Sequence, residues 1–318
     1  MTTQSSKLGI NTGILLEAGT NEAEILVFEV AGQTFGVNVA KVKEVLGISK
    51  VTSLPEGHPS IEGVVRIRQD VVTLINLTYF LYGNVEEAQA KDNDCLLLLE
   101  FNQRPLAFRV HRVHRIYRVS WKATRPLPNT MGMNAPITSV VLIDGKLVQI
   151  LDFESIGSEV AGISEQQHLE DATITKIEAP DVPIVFAEDS RMISEMINDH
   201  LQEAGFSNVH SFIDGCAAWE YLENLAENQT CDTIRDHVGI IITDIEMPRM
   251  DGFSLAKHIR MHPVLGQLPI LIFSSLVSKD NQKKGAQVGV DAQVSKPRYA
   301  ELVATARQLL GMTQLLEV

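Results

Sequence analysis

The sequence predicts a multidomain protein, all-β in its first half and α/β with a doubly wound parallel sheet in its second. Three observations lead there. The chain has 318 residues, and a single core rarely grows past about 250 residues. From Glu24 to about Phe153 the apolar residues fall in short runs broken by Gly, Pro, Asn and Asp, the grammar of a barrel or sandwich. From Pro183 onward, β-branched apolar runs alternate with helix-length amphipathic segments, which is the grammar of βα units.

In the first half the strand candidates are Ile25 to Phe28, Phe35 to Val39, Val71 to Ile75, Cys95 to Phe101, Ser139 to Ile143 and Leu147 to Leu151. One short helix, Ala40 to Leu46, is expected to interrupt them. In the second half Ile184 to Ala187 reads as the first strand. Ser190 then caps a helix whose Met192, Ile193, Met196, Ile197 and Leu201 keep helical spacing. Further strands are expected at Val209 to Phe212, Val238 to Thr243, Ile270 to Phe273 and Ala292 to Val294, with helices starting near Asp214, Gly252, Lys279 and Arg298. Glu165 to Val182 is polar, then closes on Pro180-Asp181-Val182-Pro183, and two prolines so close discourage regular structure. The expected division is an N-terminal segment 1–23, a first domain 24–165, a linker 166–182 and a second domain 183–318.

Composition narrows the function. With 27 Lys+Arg against 40 Asp+Glu the net charge is −13, which opposes coating of nucleic acid or anionic lipid by the whole chain. Residues 1–170 hold 15 basic and 19 acidic side chains and residues 171–318 hold 12 and 21, so −9 of the charge lies in the second half. Cys95, Cys216 and Cys231 are odd in number and far apart, which argues against a disulfide framework or structural zinc. The N-terminal apolar clusters, such as Ile14-Leu15-Leu16, are far shorter than the roughly 20 residues a spanning helix needs. The expectation is a reduced, soluble, cytoplasmic protein.

In the second half the chemistry gathers at predicted strand C-termini, where open α/β sheets place their ligands. Glu188 and Asp189 follow the first strand, Asp244 the third, Ser274 ends the fourth, and Lys296-Pro297 follows the fifth. Carboxylates crowded at one edge call for a hard cation such as Mg²⁺. A carboxylate can also attack phosphorus to give an acyl phosphate when cations offset the developing charge. Lys296 supplies a second positive group and Ser274 a hydrogen bond to the phosphoryl. A single Asp after a strand most often caps a helix, and Lys-Pro is usually a loop; five such positions in order at successive strand ends argue against coincidence.

Those residues carry a resemblance. Residues 183–312 resemble a response-regulator receiver domain, through Glu188-Asp189, the string D-x-x-M-P-x-M-D-G at Asp244 to Gly252, Ser274 and Lys296-Pro297. The resemblance implies a flavodoxin-like five-stranded parallel sheet in order 2-1-3-4-5. It implies Asp244 as acceptor of phosphate from a phosphohistidine on a sensor kinase, and Mg²⁺ held by Glu188, Asp189, Asp244 and the main-chain carbonyl of Glu246. Two departures stand out. The position three before Lys296, an aromatic in many receivers, is Gln293, and Tyr299 lies on the other side of the lysine. Ala226 to Asp236 is also long for the connection to the third strand.

The first half shows no GxSxG, HExxH, GxxxxGK[ST] or GxGxxG pattern, so it reads as a binding module. Arg104, Arg109, Arg112, Arg115, Arg118, Lys122 and Arg125 occur without an intervening Asp or Glu. The plain reading is a pair of strands with basic solvent faces; the functional one is a docking face for an acidic partner such as the chain's own second domain. Residues 24–156 resemble a CheW-like coupling domain, through Leu26-Val27-Phe28, Phe35-Gly36-Val37, Val39 to Val45, Ile61 to Arg68 and Val72 to Leu77. That resemblance implies two packed SH3-like barrels. It carries Val42, Glu44 and Gly63 to a surface facing a chemotaxis histidine kinase and Arg68 to receptor coupling.

A coupling domain followed by a receiver is the layout of CheV-type chemotaxis proteins. The resemblance implies a scaffold that joins methyl-accepting chemoreceptors to a histidine kinase at receptor arrays, regulated by phosphorylation of Asp244 and contributing to adaptation or draining phosphate. It implies no independent catalytic domain, no nucleic acid and no membrane insertion. The alternative is a receiver-controlled enzyme or another two-component output regulator.

Overall fold

The structure, a computed structural model, describes residues 22–48, 50–55, 57–83, 91, 93–101, 104–120, 123–126, 136–161, 182–276 and 279–312. The expected linker, but for Val182, and residues 1–21 lie outside this set, as do Trp121 and Lys122. The chain forms two compact units, residues 1–119 and 120–318.

In the first unit β1 (Glu22–Val30) and β2 (Gln33–Asn38) form a hairpin. Ala31 and Gly32 between them both have positive φ, 48° and 76°, the backbone of a type I′ turn. A single 3-10 turn, Val39–Lys41, leads to β3 (Val42–Gly47), β4 (Val51–Thr52), β5 (Ile61–Ile67) and β6 (Asp70–Asn76). Then follow α1 (Leu77–Tyr82), β7 (Cys95–Phe101), β8 (Arg104–Val110) and β9 (Arg112–Ser120). One sheet runs β3-β7-β8-β6-β5-β4, antiparallel except for the parallel pair β6 and β8. Its core is Val65, Ile67, Val72, Leu74, Leu96, Leu98 and Ala107, contributed at the period of two that strands impose.

The helix expected at Ala40 to Leu46 is corrected. The Asn38 side chain caps only Ala40 N, and from Val42 the chain is strand, with Val42 opposite Leu99 and Val45 opposite Leu97. Pairing with the leucine-rich β7 outweighs a short helical period, and the β-branched valines suit it.

The second unit begins with the antiparallel β10 (Thr124–Pro126), β11 (Ile137–Ile143) and β12 (Lys146–Leu151). A helix that sequence reading did not anticipate, α2 (Phe153–Ala161), follows. Asp152 starts it by accepting from Ser155 N at 3.0 Å. The α/β region then alternates β13 (Ile184–Ala187), α3 (Arg191–Glu203), β14 (Val209–Phe212), α4 (Gly215–Ala226), β15 (Ile240–Thr243), α5 (Gly252–Met261), β16 (Ile270–Ser274), α6 (Lys279–Gln287), β17 (Ala292–Ser295) and α7 (Tyr299–Leu309). All four pairings are parallel, in order β14-β13-β15-β16-β17, which is the expected 2-1-3-4-5. Ile193, Ile197 and Leu201 of α3 and Leu302, Val303 and Ala306 of α7 cover one face. Ala218 and Leu222 of α4 and Leu255, Ala256 and Ile259 of α5 cover the other. Helices on both faces explain why the central strands are buried at every position rather than alternating. The stretch Ala226 to Asp236 contains a 3-10 turn, Ile234–Asp236, before β15.

Candidate functional site

Parallel register delivers the chemistry to one edge. Ala187 stands opposite Thr243, Thr243 opposite Ile272, and Ser274 opposite Ser295, so Glu188, Asp244 and Lys296 all leave the sheet at the C-terminal ends of β13, β15 and β17. Backbone bonds fix each exit. Glu188 N donates to Phe212 O at 2.9 Å, Asp244 N to Ala187 O at 3.0 Å and Lys296 N to Ser274 O at 3.1 Å.

The loop from Asp244 to Gly252 is held tightly. Gly252 N donates to Ile245 O at 3.0 Å, and a Cβ on Gly252 would stand 2.0 Å from Asp244 O. Only glycine permits that approach. Asp251 caps α5 by accepting from Ser254 N at 2.8 Å. Arg249, at φ 61°, reaches Asp214 with Nε to Oδ2 at 2.5 Å and Nη2 to Oδ1 at 2.8 Å. Asp214 also caps α4 through Ala217 N at 2.8 Å. This bidentate pair ties the loop to the neighbouring helix, and Asp214 was legible beforehand only as a helix start.

At the centre sits Lys296, 2% exposed. Its Nζ lies 2.7 Å from Glu188 Oε2, 3.5 Å from Asp244 Oδ1 and 3.5 Å from Glu154 Oε2. Burial works against the ammonium, but Asp244, Glu154 and Glu188 together hold its pKa well above the ordinary value. Burial pushes the Glu188 carboxyl up to about 8; Lys296 opposes that rise while Asp244 and Glu154 add to it. A single ammonium thus faces three carboxylates. Ser274 is buried, its Oγ accepting from Leu276 N at 3.3 Å.

A hard cation suits the donors present. Glu188, Asp189 and Asp244 each offer a carboxylate oxygen, all within 4.8 Å of one another. Asp244 Oδ1 is buried and accepts no hydrogen bond, and an all-oxygen carboxylate set matches Mg²⁺ rather than a softer metal. Glu246 is buried in the same loop.

Gln293 and Tyr299 are bound into the fold. Gln293 Nε2 donates to Gln282 O at 3.1 Å and Asn281 O at 3.4 Å, fastening β17 to the start of α6. Tyr299, fully buried, stacks on His200 at 4.3 Å and meets Phe273 edge-on at 5.3 Å. It is a core residue.

The four coupling positions behave differently. Val42 is 4% exposed, so its side chain packs inward. Gly63, at φ 142°, would place a Cβ 2.1 Å from Thr52 O, so it is required where β4 meets β5. Arg68 occupies the β5–β6 turn at φ 57°. Its Nη2 donates to Glu44 Oε2 at 2.8 Å, with the arginine side chain 76% exposed. The structure thus joins Arg68 and Glu44, which the family resemblance assigns to separate surfaces.

The basic stripe also needs correction. Arg112, Arg115 and Arg118 are exposed on β9, with Arg118 bonded to Glu24 at 2.8 Å. Arg109, however, is 3% exposed. Its Nε donates to Glu62 Oε2 at 2.9 Å, its Nη1 to Asp94 Oδ2 at 2.8 Å, and its Nη2 to Glu62 Oε1. A guanidinium fork matches the buried Asp94 and half-buried Glu62 carboxylates well, and a sequence run of like charges gives no hint that one member points inward.

Residues 24–161 match the CheW-like domain family and residues 184–307 the response regulator receiver domain family. The chain is a CheW-like domain followed by a receiver domain. Along most of its length it is similar to three chemotaxis proteins of Helicobacter pylori. It is 26% identical to CheV3 over 87% of this chain and 91% of that protein. Identity to CheV1 is 25%, over 92% and 94%, and to CheV2 27%, over 92% and 96%. The buried acidic cluster around Lys296 lies wholly within the receiver match except for Glu154, which belongs to the CheW-like match.

Proposed function

We propose that this protein is a chemotaxis coupling scaffold of CheV type. Its CheW-like domain, residues 24–165, joins chemoreceptors to a histidine kinase at receptor arrays in the cytoplasm, and its receiver, residues 183–318, regulates that coupling through phosphorylation of Asp244. The observation that carries the reading is Lys296 buried between Glu188 and Asp244 at the C-terminal edge of the parallel sheet. The names of these three relatives, all chemotaxis proteins matched over more than 90% of their own length, support the choice of pathway.

In the phosphotransfer step an Asp244 oxygen attacks the phosphorus of a kinase phosphohistidine. The new O–P bond forms as the P–N bond breaks, and the imidazole leaves with the electron pair and takes up a proton. Lys296 and the Ser274 hydroxyl meet the phosphoryl oxygens. Glu188, Asp189, Asp244 and the Glu246 carbonyl are the residues to hold Mg²⁺, which when bound neutralises charge on those oxygens. Binding at the kinase uses the face around Glu44 and Gly63, backed by Val42, and receptor coupling uses Arg68. The chain carries no catalytic output of its own in this reading; it accepts phosphate and releases it.

Incubation with phosphorylated kinase and Mg²⁺ tests the reading. Wild type should take up one phosphoryl group and Asp244→Asn none. Equal labelling of both would reject Asp244 as the acceptor.

A further inference from the structure

The third carboxylate on Lys296 comes from outside the receiver. Glu154 lies in the first turn of α2, within the CheW-like match and before the receiver match begins. Its Oε2 is 3.5 Å from Lys296 Nζ, the same distance as Asp244 Oδ1. Its Oε1 accepts from Ser275 Oγ at 2.8 Å, one residue beyond Ser274. The next residue of α2, Ser155, reaches Met192 Sδ of α3 at 3.7 Å. Glu154 is only 9% exposed.

A glutamate in a first helical turn is comfortable in water, where the helix N-terminus already favours it. Burying it beside Glu188 and Asp244 is costly unless a cation and a donor hold it there. Lys296 and Ser275 are those partners. Burial on both sides of α2 also sets it apart from an ordinary terminal helix: Phe153, Ile156 and Val160 are buried along one stripe, and Glu154 and Gly157 on another.

A phosphoryl group on Asp244 changes this balance. It replaces the single carboxylate charge with nearly two on the phosphoryl oxygens, a net gain of about one, and needs the ammonium that Glu154 shares. Both cannot be accommodated by one Lys296. Building on Asp244 as phosphoacceptor, we propose that Glu154 is a resident competitor for Lys296. It latches α2 of the coupling domain onto the unphosphorylated receiver, and phosphorylation expels it and frees α2. Because coupling between two sites is reciprocal, the latch also holds back phosphorylation while it is closed. The readout of the receiver is then a change at the C-terminal end of the coupling domain, and no aromatic at position 293 is required for it.

The test uses the full chain with acetyl phosphate and Mg²⁺, following phosphorylation by intact mass and the amide exchange of residues 153–161. Glu154→Gln should be phosphorylated about tenfold faster than wild type, within the usual range of coupling between sites. Ser275→Ala should move the same way by a smaller factor. Exchange in α2 should accelerate when wild type is phosphorylated and should be fast in Glu154→Gln from the outset. If wild type is phosphorylated at Asp244 while both variants match its rate and α2 exchange stays constant, the latch is refuted and the receiver reading stands. If wild type takes up no phosphate, or Asp244→Asn labels equally, both fail together. Should Glu154→Gln not fold, Ser275→Ala and the wild-type exchange still decide the matter.

Discussion

Two buried cations, one in each compact unit, show how similar ingredients serve different ends. Arg109 meets Glu62 and Asp94 through three directed N–H bonds. Lys296 meets Glu188, Asp244 and Glu154 as a point charge at 2.7, 3.5 and 3.5 Å. The first cluster is a clamp: a planar fork fixed to two partners, locking β8 to β5 and to the residue before β7. The second is over-acidic and its carboxylates are exchangeable, since an ammonium has no preferred plane and can pass from one oxygen to another. A cluster that is fully bonded stabilises a fold; one left short of positive charge is ready for a cation and a phosphoryl group.

The contrast can be broken by mutation. Arg109→Met should cost the most, about 3–5 kcal/mol, because it strands the buried Asp94 carboxylate and leaves the half-buried Glu62 without its cation. Thermal unfolding of the full chain should show early loss of the coupling unit, and a change under about 1 kcal/mol would deny the clamp. Lys296→Met should cost less, roughly 1–3 kcal/mol, and Mg²⁺ should restore much of it by replacing the lost positive charge. A loss that Mg²⁺ leaves untouched would count against the cation site.

Opposite signs are expected for the carboxylates. Glu188→Gln replaces a carboxyl that burial holds against ionisation, its pKa pushed up to about 8. It should stabilise the receiver by about 1 kcal/mol while weakening Mg²⁺-dependent phosphorylation, the usual exchange of stability against function. Glu62→Gln, removing a fully bonded partner of Arg109, should destabilise. If both glutamines shift the melting temperature the same way, the two clusters are not different in kind. The smallest stability effect belongs to Arg68→Ala, since an exposed ion pair with Glu44 is worth about 0–1 kcal/mol. Its consequence should appear in assembly instead, as reduced recovery with receptors in a pull-down; undiminished recovery would remove Arg68 from the receptor surface.

The α/β half was largely legible in the sequence because its central strands are apolar but for a final Thr243 and Ser274, and Ser190 and Asp214 mark helix starts. The residues at its strand ends could be placed for the same reason: a parallel sheet puts every strand C-terminus on one edge. The all-β half was read less fully. The strand Val42–Gly47 took a helical pattern because pairing with β7, distant in sequence, decides it. The helix Phe153–Ala161 went unseen because its one local signal, Asp152 ahead of Ser155, is shared by ordinary turns. Glu154 and the buried Arg109 were beyond sequence reasoning, since each acquires its role from partners more than ten residues away. Arg249 paired to Asp214 is a similar case: neither residue's neighbours point to the other.

Phosphorylation of Asp244 is expected to alter coupling, and kinase assemblies report on this. Receptor and kinase assemblies would be sedimented with the full-length protein, and kinase activity in the pellet compared before and after acetyl phosphate with Mg²⁺, for wild type and Asp244→Asn. The protein should co-sediment in both forms, and the phosphodonor should change kinase activity with wild type alone. Kinase activity that responds identically with wild type and Asp244→Asn would contradict the account.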